Sequence, residues 1–368
     1  MAEPIHQQPA SLLWKPDWEQ TKIAFRRWWA GEGLILWLTA DLPTPRSPIV
    51  PLPPAATPEE YWLDPARRIH ASEYNLARTA FLAESFPQAD IQIGPGSLGT
   101  FLGAQPIFDW ETVWYRQCIA DPDSFGSVNF DPENNRWLDA HLAVVDEALR
   151  RSEGRYLVGI PDLIENLDTL AALRGDIPLL YDLTERPAWV IARLAEINQA
   201  FFQAFDLFYE RTKDAEGGSI FNPFSLWGPG KTAKVQCDIS ACLSPRAFRR
   251  FVVPHLEEQC RWLDYAMYHL DGTTCLQHLD ALLEISALEA IEWTPQAGRP
   301  QGGAPEWYDL YRRVKAAGKS VQAVNVEDEE VIPLLDAIGP QGTYIMLSNR
   351  PRPLPEAEKL LKAVEPYR

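Results

Sequence analysis

Positive charge is scarce in this chain. Its 34 lysines and arginines face 51 aspartates and glutamates, a formal net charge of −17 over 368 residues. A surface so acidic has no basic patch for nucleic acid or an anionic membrane, so neither is expected as a partner. Long apolar runs are missing as well. The strongest burst, Leu34 to Thr39, is far too short to cross a bilayer. The opening residues, MAEPIHQQPAS, lack a charged-then-apolar signal pattern, and the expected location is the cytoplasm. Cysteine is sparse: five residues, with no Cys-x-x-Cys pair. An odd number without paired spacing argues for free, mostly buried thiols rather than a disulfide framework. There is no Gly-x-Ser-x-Gly elbow, so catalysis by an activated serine has no foothold.

What the chain does have is core material. Hydrophobic residues make up 46% of it and aromatics 11%, ample for a large folded interior. Helical patterning over 18–30 ends at Gly31 and Gly33, forming an N-terminal extension (residues 1–33), and Leu34–Leu38 then reads as a buried strand. A proline-rich loop covers 42–57, followed by a long helical region from Pro58 to Ser85 that Pro65 interrupts. Asp90–Ile93 reads as the next strand, and 104–132 as an irregular aromatic insertion. A helix over 134–152 leads into the strand Tyr156–Gly159, and a long amphipathic helix spans 186–215. Short extended pieces follow at Ser219–Asn222 and Val235–Asp238. Ser244-Pro245 starts a helix that Pro254 should kink. From there strand and helix alternate tightly to the end. About eight strands alternating with helices is the arithmetic of a single α/β domain, a (β/α)₈ TIM barrel with an N-terminal helical extension. A doubly wound open sheet is the alternative.

Two glycine-rich segments mimic nucleotide sites. Gly94-Pro95-Gly96-Ser97-Leu98-Gly99 has the spacing of a dinucleotide fingerprint, but the segment after it is too short for the helix such a site needs. Ser225 to Thr232 resembles a phosphate loop, yet the residues beyond read as extended, leaving no helix N-terminus to hold phosphate.

The segment Met267-Tyr268-His269-Leu270-Asp271-Gly272 is more informative. If the apolar run is a parallel strand, His269 and Asp271 leave its C-terminal end on the same side, and Gly272 lets the chain turn away. In α/β barrels that rim carries the catalytic groups. The other expected strand ends present Trp37, Asp162, Asn222 with Trp227, Asp238, Glu292 with Trp293, Asn325 and Ser348. The tryptophans would form a flat apolar pocket for a ring-bearing small-molecule substrate. Asp162 and Asp238 have a plainer reading as turn caps. Glu292, between Ile291 and Trp293, is a costly place for a carboxylate without a partner. His269, Asp271 and Glu292 are expected to converge, either as ligands of zinc or another divalent metal or as a hydrogen-bonded acid/base group. Cys275, just past the turn, should pack in the next helix.

Leu243-Ser244-Pro245, Phe251-Val252-Val253-Pro254, His269-Leu270-Asp271-Gly272, Leu282-Leu283, Ile291-Glu292-Trp293 and Thr343 to Ser348 together resemble the uroporphyrinogen decarboxylase superfamily, which includes corrinoid-dependent methyltransferases. Weaker similarity reaches back to Ile35. The resemblance implies a TIM barrel with its site at the rim. It implies either methyl transfer, with a corrinoid (cobalamin) as methyl carrier or a corrinoid protein as partner, or cofactor-free decarboxylation of a ring-bearing acid, in which Asp238 or Asp271 would stabilise a developing cation. Two departures matter. No arginine occurs near the first strand until Arg46, where the decarboxylases hold propionates. Asp271 replaces the first cysteine of the methyltransferases' His-x-Cys-Gly zinc motif, and Ser348 stands near the second. Any zinc site would be nitrogen and oxygen only. A non-catalytic ligand-binding barrel is a third reading, and an oligomer is compatible with all three.

Overall fold

The computed structural model describes residues 11–368. Its centre is a seven-stranded sheet made of β1 (Leu34–Asp41), β2 (Thr79–Ala83), β3 (Thr232–Gln236), β4 (Tyr265–Asp271), β5 (Ala290–Thr294), β6 (Ser320–Val326) and β7 (Thr343–Leu347). The spatial order is β2-β1-β7-β6-β5-β4-β3. All neighbours run parallel except β2, which pairs antiparallel with β1. Parallel strands covered by helices must be apolar on both faces. Accordingly β3 and β5 are buried at nearly every position. The first and last parallel strands of the chain, β1 and β7, lie side by side.

Several expectations change in detail. The region from 58 to 85 is not one interrupted helix but two, Pro58–Leu63 and Pro65–Leu76, each capped by a side chain (Thr57, Asp64) and each with proline in its first turn. The chain then forms β2 where helix was expected, because Thr79–Ala83 can complete the ladder of β1. Tertiary pairing overrides local propensity there. Asp90–Ile93 and Tyr156–Gly159 are not regular strands; this part of the chain carries isolated parallel bridges, Gln88 to Leu157 and Ile160 to Phe221. The insertion over 104–132 contains a small antiparallel pair, Gln105–Phe108 with Val113–Arg116. Pro254 does more than kink its helix. The segment divides into Pro245–Phe251 and Val253–Trp262. Two helices over 166–185 were not foreseen.

The N-terminal helix Trp18–Trp29 covers the N-terminal ends of the strands. Trp28 donates its indole N–H to the Val321 carbonyl (3.3 Å), and Ser320 Oγ donates to the Trp28 carbonyl (2.5 Å). Trp18, Phe25, Trp28, Trp227 and Tyr344 form one edge-to-face aromatic cluster. This closes one end of the sheet with apolar mass, leaving the C-terminal ends for chemistry. No described helix is long and apolar enough to cross a membrane. All five cysteines are free, but Cys118 and Cys242 are exposed rather than buried.

Candidate metal and acid-base centre

The strand register builds the site. Gln236 of β3 lies opposite His269 of β4, His269 opposite Glu292 of β5, Glu292 opposite Gln322 of β6, and Gln322 opposite Tyr344 of β7. Register partners share a face. Five polar side chains therefore form one row across five parallel strands, and Asp271 follows His269 two residues on, beside Thr294. Beyond Asp271 the chain leaves through Gly272 at φ 78°, a left-handed conformation that glycine adopts without steric cost.

Glu292 is fully buried and satisfied twice: its carboxylate pairs with His269 Nδ1 and accepts a hydrogen bond from Thr294 Oγ1 at 2.6 Å. Burial alone would lower the His269 pKa. The charge of Glu292 and its hydrogen bond outweigh that, and the imidazole is held above its ordinary value. With Nδ1 taken, Nε2 is the nitrogen free to meet a ligand. The tips of Asp238, His269 and Asp271 all lie within 4.8 Å of one another. Phe224 covers one face of the imidazole, ring centroids 4.9 Å apart. That residue and Ser225 have positive φ (61° and 50°), and the turn is held by Gln322 Nε2 donating to the Phe224 carbonyl (3.0 Å) and Tyr344 OH donating to the Ser225 carbonyl (3.1 Å).

Asp238 opens the short 3₁₀ turn after β3. Its backbone N–H and that of Ile239 donate to Asp168 (2.7 and 2.9 Å), while its own carboxylate accepts from Gln236 Nε2 at 2.7 Å. The residue reaches solvent, but its carboxyl group is drawn into the recess. Lost hydration, then the neighbouring Asp168, push it up to about 7. Behind it sits buried Lys234, whose ammonium donates to Asp162 at 2.9 Å and to Gln236. Burial disfavours the ammonium, but Asp162 and Glu165 reverse this and hold its pKa above the usual value. Glu165, fully enclosed, is pushed up to about 8 by loss of hydration despite the attraction of Lys234.

The residues expected at the rim divide into groups. His269, Asp271, Glu292 and Asp238 meet at one place. Asp162 and Asn222 line a neighbouring cavity of about 410 Å³ with Gln92, Pro95 and Trp62. Trp37 is half-buried against Phe86, rings 4.9 Å apart. Trp293 points away from Glu292 into the helix layer, edge-on to Trp307 at 5.0 Å. Trp227 lies in the aromatic cluster under the sheet, away from this centre. Asn325 sits at φ 53° and donates to Gln301 at 3.3 Å; Ser348 donates its N–H to Val326 at 2.9 Å, with its hydroxyl buried and unpartnered. Sequence reasoning passed over Lys234, Gln236, Glu165, Asp168 and Thr294. A signal existed: lysine and glutamine inside the extended run Thr232–Gln236, and acids at every third position from Asp162 to Asp168.

No family model and no curated protein matches the chain. Among solved structures, a methyltransferase from Methanosarcina mazei has the same overall fold, with a TM-score of 0.63 and 10% identity over 94% of this chain and 98% of that one.

Proposed function

We propose that the chain is an enzyme of methyl-group transfer to or from a small molecule, built on a barrel of the uroporphyrinogen decarboxylase type and working in the cytoplasm. The neighbour's description as a methyltransferase supports the reaction class. Two features favour barrel closure. β1 and β7 are adjacent, and the bridges at Gln88–Leu157 and Ile160–Phe221 lead from the β1 side of the sheet toward β3.

The observation that carries the proposal is the pairing of His269 Nδ1 with Glu292 beside Asp238 and Asp271. A carboxylate on the far nitrogen of a metal-binding histidine fixes its tautomer and raises its basicity. The donor set suits a divalent ion: ligand atoms about 2.0–2.2 Å from a tetrahedral zinc lie about 3.3–3.6 Å apart, inside the 4.8 Å within which the three tips fall, and side-chain rotation would draw them to that spacing. One nitrogen and two oxygens suit zinc or another first-row divalent metal rather than a soft thiophilic ion. In this reading Glu292 orients His269, and Asp238 takes a ligand place. A divalent ion held there would act as a Lewis acid on a substrate heteroatom. Phe224 shields the imidazole from water, and Asp238, whose carboxyl group lies near 7 without a cation, would give up its proton on taking that ligand place. A corrinoid would serve as the methyl carrier, alone or on a partner protein.

Cofactor-free decarboxylation is the second reading, favoured by Asp238, since a carboxyl group at about 7 can protonate the carbanion left by loss of carbon dioxide. Metal analysis with a zinc titration separates the two. Methyl transfer through this centre requires one tightly held divalent ion per chain, lost in His269→Ala without unfolding. Metal-free protein that ignores zinc leaves only the decarboxylase reading.

A further inference from the structure

We propose that Gln236 is a positioning residue for the metal centre, holding Asp238 so that it meets a cation through one oxygen and the site selects a small four-coordinate ion. This rests on reading Asp238, His269 and Asp271 as metal ligands, and it names what that site admits. Gln236 ends β3, opposite His269 in register, and its side chain is buried. The orientation of its amide is dictated by its neighbours. Lys234, as an ammonium, can only donate, so the amide oxygen is the atom that faces it. The amide nitrogen is thereby turned the other way. It donates to Asp238 Oδ2 at 2.7 Å and, at longer range, to Asp168 Oδ2 at 3.2 Å. The backbone is held as well, since the Gln236 N–H donates to Glu165 Oε1 at 2.7 Å.

The consequence falls on Asp238. Its backbone N–H is tied to Asp168, and one carboxylate oxygen, Oδ2, is tied to Gln236. Among the described residues the other oxygen, Oδ1, accepts no hydrogen bond and keeps its lone pairs for a ligand. His269 is restricted in the same manner, with Glu292 on Nδ1 and Nε2 left over. Each of these two groups is engaged from behind and presents one atom, and Asp271 completes the triangle within 4.8 Å. Ligands that bind through one atom suit zinc, which favours four-coordinate tetrahedral sites. Calcium takes about six to eight oxygens and draws on carboxylates that bind through both. A carboxylate with one oxygen already bonded to an amide N–H serves it poorly. Acidity alone would attract either ion, and the amide makes the distinction.

Cobalt(II) reports coordination number directly, because four-coordinate cobalt absorbs visible light far more strongly than six-coordinate cobalt. The full chain loaded with cobalt should show the intense four-coordinate spectrum. Gln236→Met fills much the same volume without the amide, and should give the weaker bands of a higher coordination number. Its zinc affinity should fall about 10–100-fold, the usual cost of losing a group that holds a metal ligand, while calcium affinity stays or rises. Gln236→Asn, too short to span Lys234 and Asp238, should behave alike. A glutamine needed only for folding would lower the melting temperature in these variants and leave the cobalt spectrum alone. A four-coordinate spectrum in either folded variant overturns the proposal, as does an unchanged ratio of zinc to calcium affinity. If neither variant folds, the unaltered chain decides: a six-coordinate cobalt spectrum overturns the assignment and a four-coordinate one upholds it. An unaltered chain that binds neither zinc nor cobalt removes the metal reading itself, and the role of Gln236 with it. Metal bound with the same spectrum in chain and variants removes the role of Gln236 alone.

Discussion

Replacing Lys234 by methionine probes the electrostatic foundation of the site without touching a proposed metal ligand. The side chain is 1% exposed and its ammonium lies 2.9 Å from Asp162, with Glu165 close by. Methionine fills much the same volume, so the packing loss is small. The main effect is an uncompensated carboxylate. Removing one partner of a buried pair costs about 3–5 kcal/mol. Asp162 keeps 13% of its side-chain surface in solvent, which places the expected loss near the lower bound, about 3 kcal/mol. The pH dependence has a definite sign. Lys234 has a raised pKa, so its contribution is constant below the unfolded value of about 10.4 and is lost only above it. Glu165, at about 8 in the folded chain, favours folding fully below its unfolded value near 4.3 and loses that contribution as pH rises through 8. Without Lys234 its proton is held more firmly still, and ionising it above pH 8 becomes more costly. Urea unfolding at pH 5.5 and pH 9 should therefore show a penalty that grows with pH. A loss under about 1 kcal/mol, or a penalty that shrinks toward pH 9, would show that the lysine is solvated and the network does not exist as described.

Three further outcomes are expected. Glu292→Gln should weaken zinc binding by about 10–100-fold through His269 alone, since the glutamate's oxygens are already engaged; fluorescent-chelator competition measures it, and an unchanged affinity counts against the orienting role. Asp238→Asn should weaken zinc comparably yet raise the melting temperature of metal-free protein at pH 8 more than at pH 5. The wild-type carboxyl stabilises the fold while protonated and loses that contribution as pH rises through about 7, so equal shifts at both pH values would refute the recess. Trp28→Ala should cost about 3–5 kcal/mol from the cluster under the sheet while leaving zinc affinity alone, and a coupled loss of both would mean that the two ends are not independent.

The strand-end logic of the sequence anticipated that these side chains converge because period-two alternation survives in short parallel strands: His269 and Asp271 fall on one side, and Glu292 is out of place unless it has a partner. Register was not legible. Nothing local states that Gln236, His269, Glu292, Gln322 and Tyr344 share one level, because that depends on the stagger of five strands. The same gap hid β2, whose residues are helix-compatible until β1 offers a ladder. Trp227 shows the opposite error. Counting strand ends placed it at the rim, but it lies on the short strand Leu226–Gly228, antiparallel to Ser219–Phe221, which carries the chain back toward the aromatic cluster.

Charge at the rim would let the same residues serve either metal or proton chemistry. Asp162, Glu165, Asp168, Asp238, Asp271 and Glu292 surround two cations, Lys234 and His269. Glu292 is matched by the imidazole and Asp162 by the ammonium. The excess among the rest is met by protons, as the raised values of Glu165, Asp168 and Asp238 show. Protons on buried carboxyls and a divalent cation are alternative ways of neutralising the same field. Asp238 is the member where the exchange is easiest, being the one that reaches solvent and whose value lies near neutrality. A metal would displace its proton and leave Glu165, deeper and near 8, protonated. The acidity of this rim would thus favour a bound cation, and depth would decide which carboxyl releases a proton to receive one.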